Sequence, residues 1–269
     1  MEKTKRERWR ALLLWWDSGM SSAIKLATQA AIRTWAWLVS PIVQKDLVNI
    51  LDIKLGEYNT RIFDINYDNE WIQKVISLLD ESHALWYWVW IDINKNIFIK
   101  DFTIELFNWA TKTIIFDGQV TSLLSDNNHL LNPKTNHIIL MNNKEIINFF
   151  KIDIDKLDSS SIQNIATKLK STLVLKWEYT KIYSEKYNET IYTWSTPQML
   201  VAWSWDVLLG IITSLVAQWY DHKSAIMLWI LIREKSSQFY IEKTWDVIST
   251  ATDIVDNIRF IIRNILMDE

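Results

Sequence analysis

Short apolar runs alternate with segments of helical periodicity along most of this chain. Ala11–Leu14 is an apolar run of strand length. Ser21–Thr34 sets Ile24, Ala27 and Ala31 on one helical face beside Leu26 and Ala30. Leu38–Val43 is a second apolar run, Glu70–Leu79 is amphipathic, and Ile104–Ala110 reads as helix. Thr113–Phe116 reads as a buried strand ending at Asp117, and His137–Leu140 as a strand before helix Lys144–Phe150. Ser159–Lys170 opens on a serine run suited to an N-cap and leads into strand Thr172–Lys176. Tyr179–Ser184 and Thr190–Thr193 predict a hairpin across the polar Glu185–Glu189. Three helices follow, over Asp206–Gln218, His222–Glu234 and Asp246–Met267. A turn is expected at Trp15–Gly19, and a loop at Trp86–Trp90 after Ala84-Leu85. Strand–helix alternation with apolar strands predicts an α/β fold, a mostly parallel sheet with helices on both faces. Ligands of such sheets bind at the C-terminal ends of the strands.

The 269 residues fit one large α/β domain or two ordinary ones. No repeat, low-complexity tract or linker divides them, so a single domain over 1–269 is expected. A formal net charge of −3 gives no bulk electrostatic reason to bind nucleic acid or an anionic membrane. The absence of cysteine excludes disulfides, thiolate zinc sites and a Cys nucleophile. Lys3, Lys5, Arg6, Arg8 and Arg10 precede an apolar run, as in a signal peptide, but that run stops at Asp17 and is too short. The stretch from Val207 to Tyr220 carries Thr213, Ser214 and Gln218 and is too short to span a bilayer. A soluble, cytoplasmic protein is expected.

Tryptophan changes the picture. The chain has 17 Trp and 4 Gly, whereas ordinary usage of roughly 7% Gly would give about 19 in this length. Adding the tryptophans to the glycines restores an ordinary glycine content. The tryptophans also cluster where turns are expected: Trp15-Trp16, Trp35-Ala36-Trp37, Trp86-Tyr87-Trp88-Val89-Trp90 and Trp203-Ser204-Trp205. Pairs and alternations at turn sites are a glycine pattern, because glycine turns tightly and lets backbone approach a ligand. The expectation is a gene in which UGA encodes glycine and has been translated as Trp.

The segment Val201-Ala202-Trp203-Ser204-Trp205-Asp206-Val207-Leu208-Leu209-Gly210-Ile211-Ile212 becomes, with glycine at 203 and 205, a glycine-rich loop entering an apolar helix. Free N–H groups at such a helix start form an anion site for nucleotide phosphates. Asp206 beside it suits a general base for a substrate hydroxyl. An N-cap is the plainer role for an isolated Asp, and the surrounding pattern favours the catalytic one.

Read with glycine, Thr193–Trp229 resembles the C-terminal signature of the ADP/ATP-dependent NAD(P)H-hydrate dehydratases of the ribokinase-like superfamily. Arg8–Ser40 resembles that family's opening strand, loop and helix, Leu85–Trp90 its glycine-rich loop, and Val174–Thr180 its nucleotide-binding KG-x-x-T segment. The similarity is collinear over nearly the whole chain, without the fused N-terminal epimerase domain. It implies a three-layer α/β/α sandwich. It also implies dehydration of hydrated NADH or NADPH at the expense of ADP or ATP, with Mg²⁺ arriving on the nucleotide. By position, Asp206 would activate the C6 hydroxyl. The amides of Trp203, Ser204 and Trp205, with Lys176, Trp177, Glu178, Tyr179 and Thr180, would hold the nucleotide. Ala23, Trp88, Trp90 and Asn143 would line the substrate site. A homo-oligomer is implied as well. Three departures stand out: Asp117-Gly118-Gln119 for the family's D-A-D, Asn143 for a histidine, and Arg233-Glu234 for H-G.

His83, His129, His137 and His222 lack metal-ligand spacing, and no dedicated metal site is expected. Asn188-Glu189-Thr190 is a formal glycosylation sequon without a secretory route. The alternatives are a ribokinase-like kinase of a small alcohol or vitamin precursor, and a decayed paralogue. A module stacking sugars or single-stranded bases on Trp86, Trp88 and Trp90 is weaker, because nothing supplies a basic groove.

Overall fold

A computed structural model describes residues 9–16, 20–55, 63–64, 69–89, 97–152, 156–176, 179–192, 204–246 and 248–267. Among the described residues seven strands run parallel: β1 (Arg10–Trp15), β2 (Leu38–Val43), β3 (Phe63–Asp64), β4 (Ala84–Val89), β5 (Thr113–Gly118), β6 (His137–Asn142) and β7 (Ser171–Lys176). An antiparallel hairpin, β8 (Tyr179–Tyr183) and β9 (Asn188–Tyr192), extends the edge, in the order β3-β2-β1-β4-β5-β6-β7-β8-β9. The helices are α1 (Ser21–Arg33), α2 (Lys45–Leu55), α3 (Asn69–Asp80), α4 (Ile97–Trp109), α5 (Val120–Asp126), α6 (Asn143–Phe150), α7 (Ser159–Lys168), α8 (Ser204–Ala217), α9 (His222–Thr244) and α10 (Ala251–Met267). No helix of the described residues is long and apolar enough to cross a membrane.

Strand side chains alternate between faces, and here each face meets its own core. One core joins Leu13, Trp86, Ile115, Leu140 and Val174 to α1, α8, α9 and α10. The other joins Leu12, Tyr87, Phe116, Ile139 and Leu173 to helices α3 to α7. Burial on both faces explains why the strands read as continuous apolar runs.

The Trp86–Trp90 loop expected from sequence is corrected. Ala84–Val89 is a fully buried strand between β1 and β5, and only position 90 lies outside the described residues. Parallel pairing with β1 on one side and β5 on the other holds this segment as a strand, and reading the Trp86 and Trp88 positions as loop glycines hid it. Helix α9 continues ten residues beyond its expected end at Glu234, where the apolar periodicity gives out. Helix α10 begins at Ala251 rather than Asp246.

Three tryptophans occupy backbone that L-residues avoid. Trp35, Trp219 and Trp245 have φ of 71°, 71° and 60°, two residues beyond the ends of α1 and α8 and directly after α9. Ala36 N–H donates to Ala31 O at 3.1 Å and Tyr220 N–H to Leu215 O at 3.3 Å, the closing bonds of helix ends that use a left-handed residue, usually Gly. Trp245 is 91% exposed, so packing gives that indole no compensation.

Helices α1 and α8 touch backbone to backbone. A Cβ on Gly210 would lie 2.1 Å from the Ala27 carbonyl oxygen. Ser214 Oγ and Gln218 Nε2 both donate to Thr34 O, at 3.0 and 2.6 Å, which fixes α8 against the end of α1. Gly210→Ala is therefore expected to destabilise by about 3 kcal/mol, the upper part of the range for overpacking, because no flexible side chain can yield. The denaturant midpoint measures it; an unchanged midpoint would contradict the close contact.

Candidate active site

Strand parity gathers the site. Trp15, Trp88, Asp117, Asn142 and Lys176 share parity with Leu13, Trp86, Ile115, Leu140 and Val174, so all five face the α8 side at the C-terminal ends of their strands. Register aligns them: Trp15 lies opposite Trp88, Trp88 opposite Asp117, and Asn142 opposite Lys176. Helix α8 begins above this row and supplies Trp205 and Asp206. With Met20, Gly118 and Glu145 these residues line a cavity of about 400 Å³.

Charge concentrates there. Lys176 Nζ lies 2.6 Å from Asp117 Oδ1, with both side chains 7% exposed. Burial alone would pull the Lys176 ammonium down, but Asp117, then Glu145 and Asp206, more than offset it, and its pKa is raised. Burial, and then the negative charge of Asp117, lift the Asp206 carboxyl to about 7, against the opposing pull of Lys176. Glu145 also rises to about 7, by burial and the Asp117 charge, with Lys176 and the Asn142 hydrogen bonds pulling it down. Three carboxylates thus share one ammonium, and two of them sit at the edge of protonation near neutral pH.

Glu145 is held by a reciprocal cap. Asn142 N–H donates to Glu145 Oε2 at 2.8 Å, and Glu145 N–H donates to Asn142 Oδ1 at 3.0 Å. The Asn-x-x-Glu spacing of that capping box was the sequence signal for both residues. Asn143, the position matched to the family's histidine, is exposed as the first residue of α6, and its neighbours Asn142 and Glu145 line the cavity instead. Ala23 is fully buried in the α1 core. Thr180 is buried on β8 opposite Lys176, and Tyr179 opens that strand. Ser204 is 1% exposed at the start of α8, and its Oγ has no hydrogen-bond partner among the described residues. Trp90, Trp177, Glu178 and Trp203 lie outside the described residues.

Indoles fill the space beside these charges. Trp15 and Trp88 stack at 3.7 Å and 4° on the cavity wall. The ring of Trp205 lies 5.4 Å from Lys176 Nζ and 4.7 Å from Arg233 Cζ. The buried indole N–H groups of Trp15, Trp86 and Trp229 find no acceptor among the described residues, at a cost of about 1–3 kcal/mol each.

Among the described residues no set of three or more His, Cys, Asp and Glu side chains converges to hold a metal. Asp117, Glu145 and Asp206 on the cavity wall offer oxygen donors, the type taken by a hard cation that keeps water and phosphate ligands.

The fold matches solved structures across nearly its whole length. A ribokinase-like superfamily protein from Enterococcus faecalis V583 superposes with a TM-score of 0.77 at 18% identity, over 95% of this chain and 87% of that one. A hypothetical protein from Streptococcus mutans gives 0.77 at 19%, over 98% and 92%. The ADP/ATP-dependent NAD(P)H-hydrate dehydratase from Bacillus subtilis, co-crystallised with ATP and Mg²⁺, gives 0.76 at 15%, over 98% and 93%. At these identities the structures establish the ribokinase-like α/β fold. No curated protein matches the chain. The Carb_kinase family model, described as NAD(P)H-hydrate dehydratase, matches residues 11–259, and the chain belongs to that family.

Proposed function

We propose that the protein uses ADP or ATP to dehydrate hydrated NADH or NADPH, and that its working form carries glycine at the UGA-encoded tryptophan positions. The observation that carries the chemistry is Asp206, at the start of α8, in one cavity with the buried Lys176–Asp117 pair. Family membership supplies the reaction class. The left-handed backbone at Trp35, Trp219 and Trp245 supports the glycine reading.

Asp206 takes the proton of the substrate's C6 hydroxyl as that oxygen attacks the terminal phosphoryl group. A new P–O bond forms and the bond to the leaving nucleotide breaks. The ring nitrogen's lone pair then expels phosphate, the C5 proton leaves, and the dihydropyridine is restored. A carboxyl with a pKa of about 7 is matched to proton transfer at neutral pH. Lys176 neutralises charge on the phosphoryl oxygens from within a dry site, where a fixed ammonium acts strongly. Three carboxylates would repel a bare nucleotide, so the nucleotide arrives as its Mg²⁺ complex, which supplies electrostatic stabilisation of the transferred group. Amides at the start of α8, freed of the position 203 and 205 side chains, complete the cradle.

The test is the pH dependence of turnover together with product analysis. Asp206 must be ionised to act, so kcat is expected to be low in acid and to rise through about pH 7. Inorganic phosphate and the restored cofactor are the expected products. Accumulation of a stable phosphorylated product, with no dihydropyridine recovered, would instead identify a kinase.

A further inference from the structure

Arg233 is a charged side chain that the proposed chemistry does not yet use, and it stands where the family carries H-G. It lies on α9 one turn beyond Trp229, 5% exposed. Burial pulls its pKa down, against the raising pull of the Glu234 charge. Its guanidinium lies 4.7 Å from the centre of the Trp205 ring, the same ring that Lys176 Nζ approaches to 5.4 Å. Trp205 also packs on Trp229 at 6.2 Å, so one indole meets the cation of β7, the cation of α9 and a second indole. The unpartnered Ser204 Oγ is buried next to it in sequence, at the first turn of the 14-residue helix α8.

We propose that Arg233 is a phosphate-binding residue: with Lys176 it flanks the volume filled by the Trp205 indole, and a phosphoryl group held there is gripped by both cations. This inference rests on the glycine reading of position 205. Removing the indole leaves the Lys176 and Arg233 cations on one volume, at the first turn of α8 where the Ser204 hydroxyl is buried without a partner among the described residues, a set suited to a phosphate dianion. The guanidinium offers a rigid fork of donors that an ammonium lacks, so Arg233 orients the phosphoryl oxygens while Lys176 supplies a point charge. The anion could equally be a nucleotide phosphoryl or free phosphate, and the ligands below separate the two.

The test uses the full chain with glycine at its Trp positions, and compares it with the same chain carrying Arg233→Gln or Arg233→Lys. Calorimetry with ADP, adenosine and inorganic phosphate, each in Mg²⁺, reads the contact directly. Arg233→Gln is expected to weaken ADP at least tenfold, to leave adenosine unchanged, and to flatten the salt dependence of ADP binding. Arg233→Lys is expected to recover part of the loss. Parallel weakening of inorganic phosphate places free phosphate in the same subsite, whereas ADP weakening alone assigns it to the nucleotide. Equal weakening of ADP and adenosine, or undiminished ADP binding in a folded Arg233→Gln chain, would overturn the proposal. If the parent chain binds ADP but performs no dehydration, the activity reading fails while Arg233 stands. A folded parent that binds no ADP defeats both.

Discussion

Asp206→Asn in the glycine-bearing chain is expected to lower kcat by about 10³-fold, within the roughly 10²–10⁴ range of general-base catalysis, while ADP binds as well as before or tighter. Asn keeps the shape and a hydrogen-bonding group but cannot accept the hydroxyl proton. It also removes one of the three carboxylates facing Lys176, which eases the approach of phosphate. The loss should therefore fall on kcat, with no rise in the ADP dissociation constant, and the Asp206 contribution to the rise of kcat through about pH 7 should be lost, leaving only that of Glu145. Steady-state rates and calorimetry together read the split. A variant that keeps its turnover, or that loses ADP affinity instead, would remove Asp206 from the chemistry.

The second large effect concerns nucleotide binding. The chain with literal tryptophans is expected to bind no ADP at millimolar concentration, and the chain with glycine to bind it readily. The Trp15, Trp88 and Trp205 rings line the cavity, and Lys176 and Arg233 both lie against the Trp205 ring. A phosphate cannot share that volume, and an indole at the first turn of α8 shields the amides that would receive it. Stability should move in the same direction at the surface positions: glycine at 35, 219 and 245 relieves a left-handed backbone cost of about 1–2 kcal/mol each. Tight ADP binding by the tryptophan chain would contradict both the steric argument and the glycine reading.

Where the apolar pattern was dense, the sequence was a reliable guide. Leu38–Val43, Thr113 onward and Thr172–Lys176 read as buried strands because both of their faces are covered. The hairpin after β7 was legible from its polar tip. The Trp86–Trp90 region was misread because one inference was carried too far: a residue that resembles a turn glycine at position 35 need not mark a loop at position 86, where strand pairing on both sides decides. Helix α2 and helix α5 were missed, although Leu47 and Leu51 on α2 and Val120, Leu123 and Leu124 on α5 are buried at helical spacing.

The site was legible in part. Asp206 and Lys176 were visible because each belongs to a recognisable motif, and Asp117 was visible as a strand end. That Lys176 reaches across β6 to Asp117 is a matter of strand order, β5-β6-β7, which no local pattern encodes. Glu145 enters through the cap with Asn142, and Arg233 through the packing of α9 on the start of α8. The cap is a local pattern of residues three apart, whereas the Arg233 placement depends on a contact between two separate helices.

The central claim is that this row of strand ends, with backbone exposed at 203 and 205, performs nucleotide-dependent repair of a nicotinamide cofactor. Recovery of the reduced-nicotinamide absorbance from hydrated NADH by the glycine-bearing chain, with Mg²⁺ and ADP or ATP, measures it most directly. The expected trace rises only when nucleotide is present and stays flat with Asp206→Asn. A flat trace with both nucleotides, from a folded chain that binds them, would contradict it.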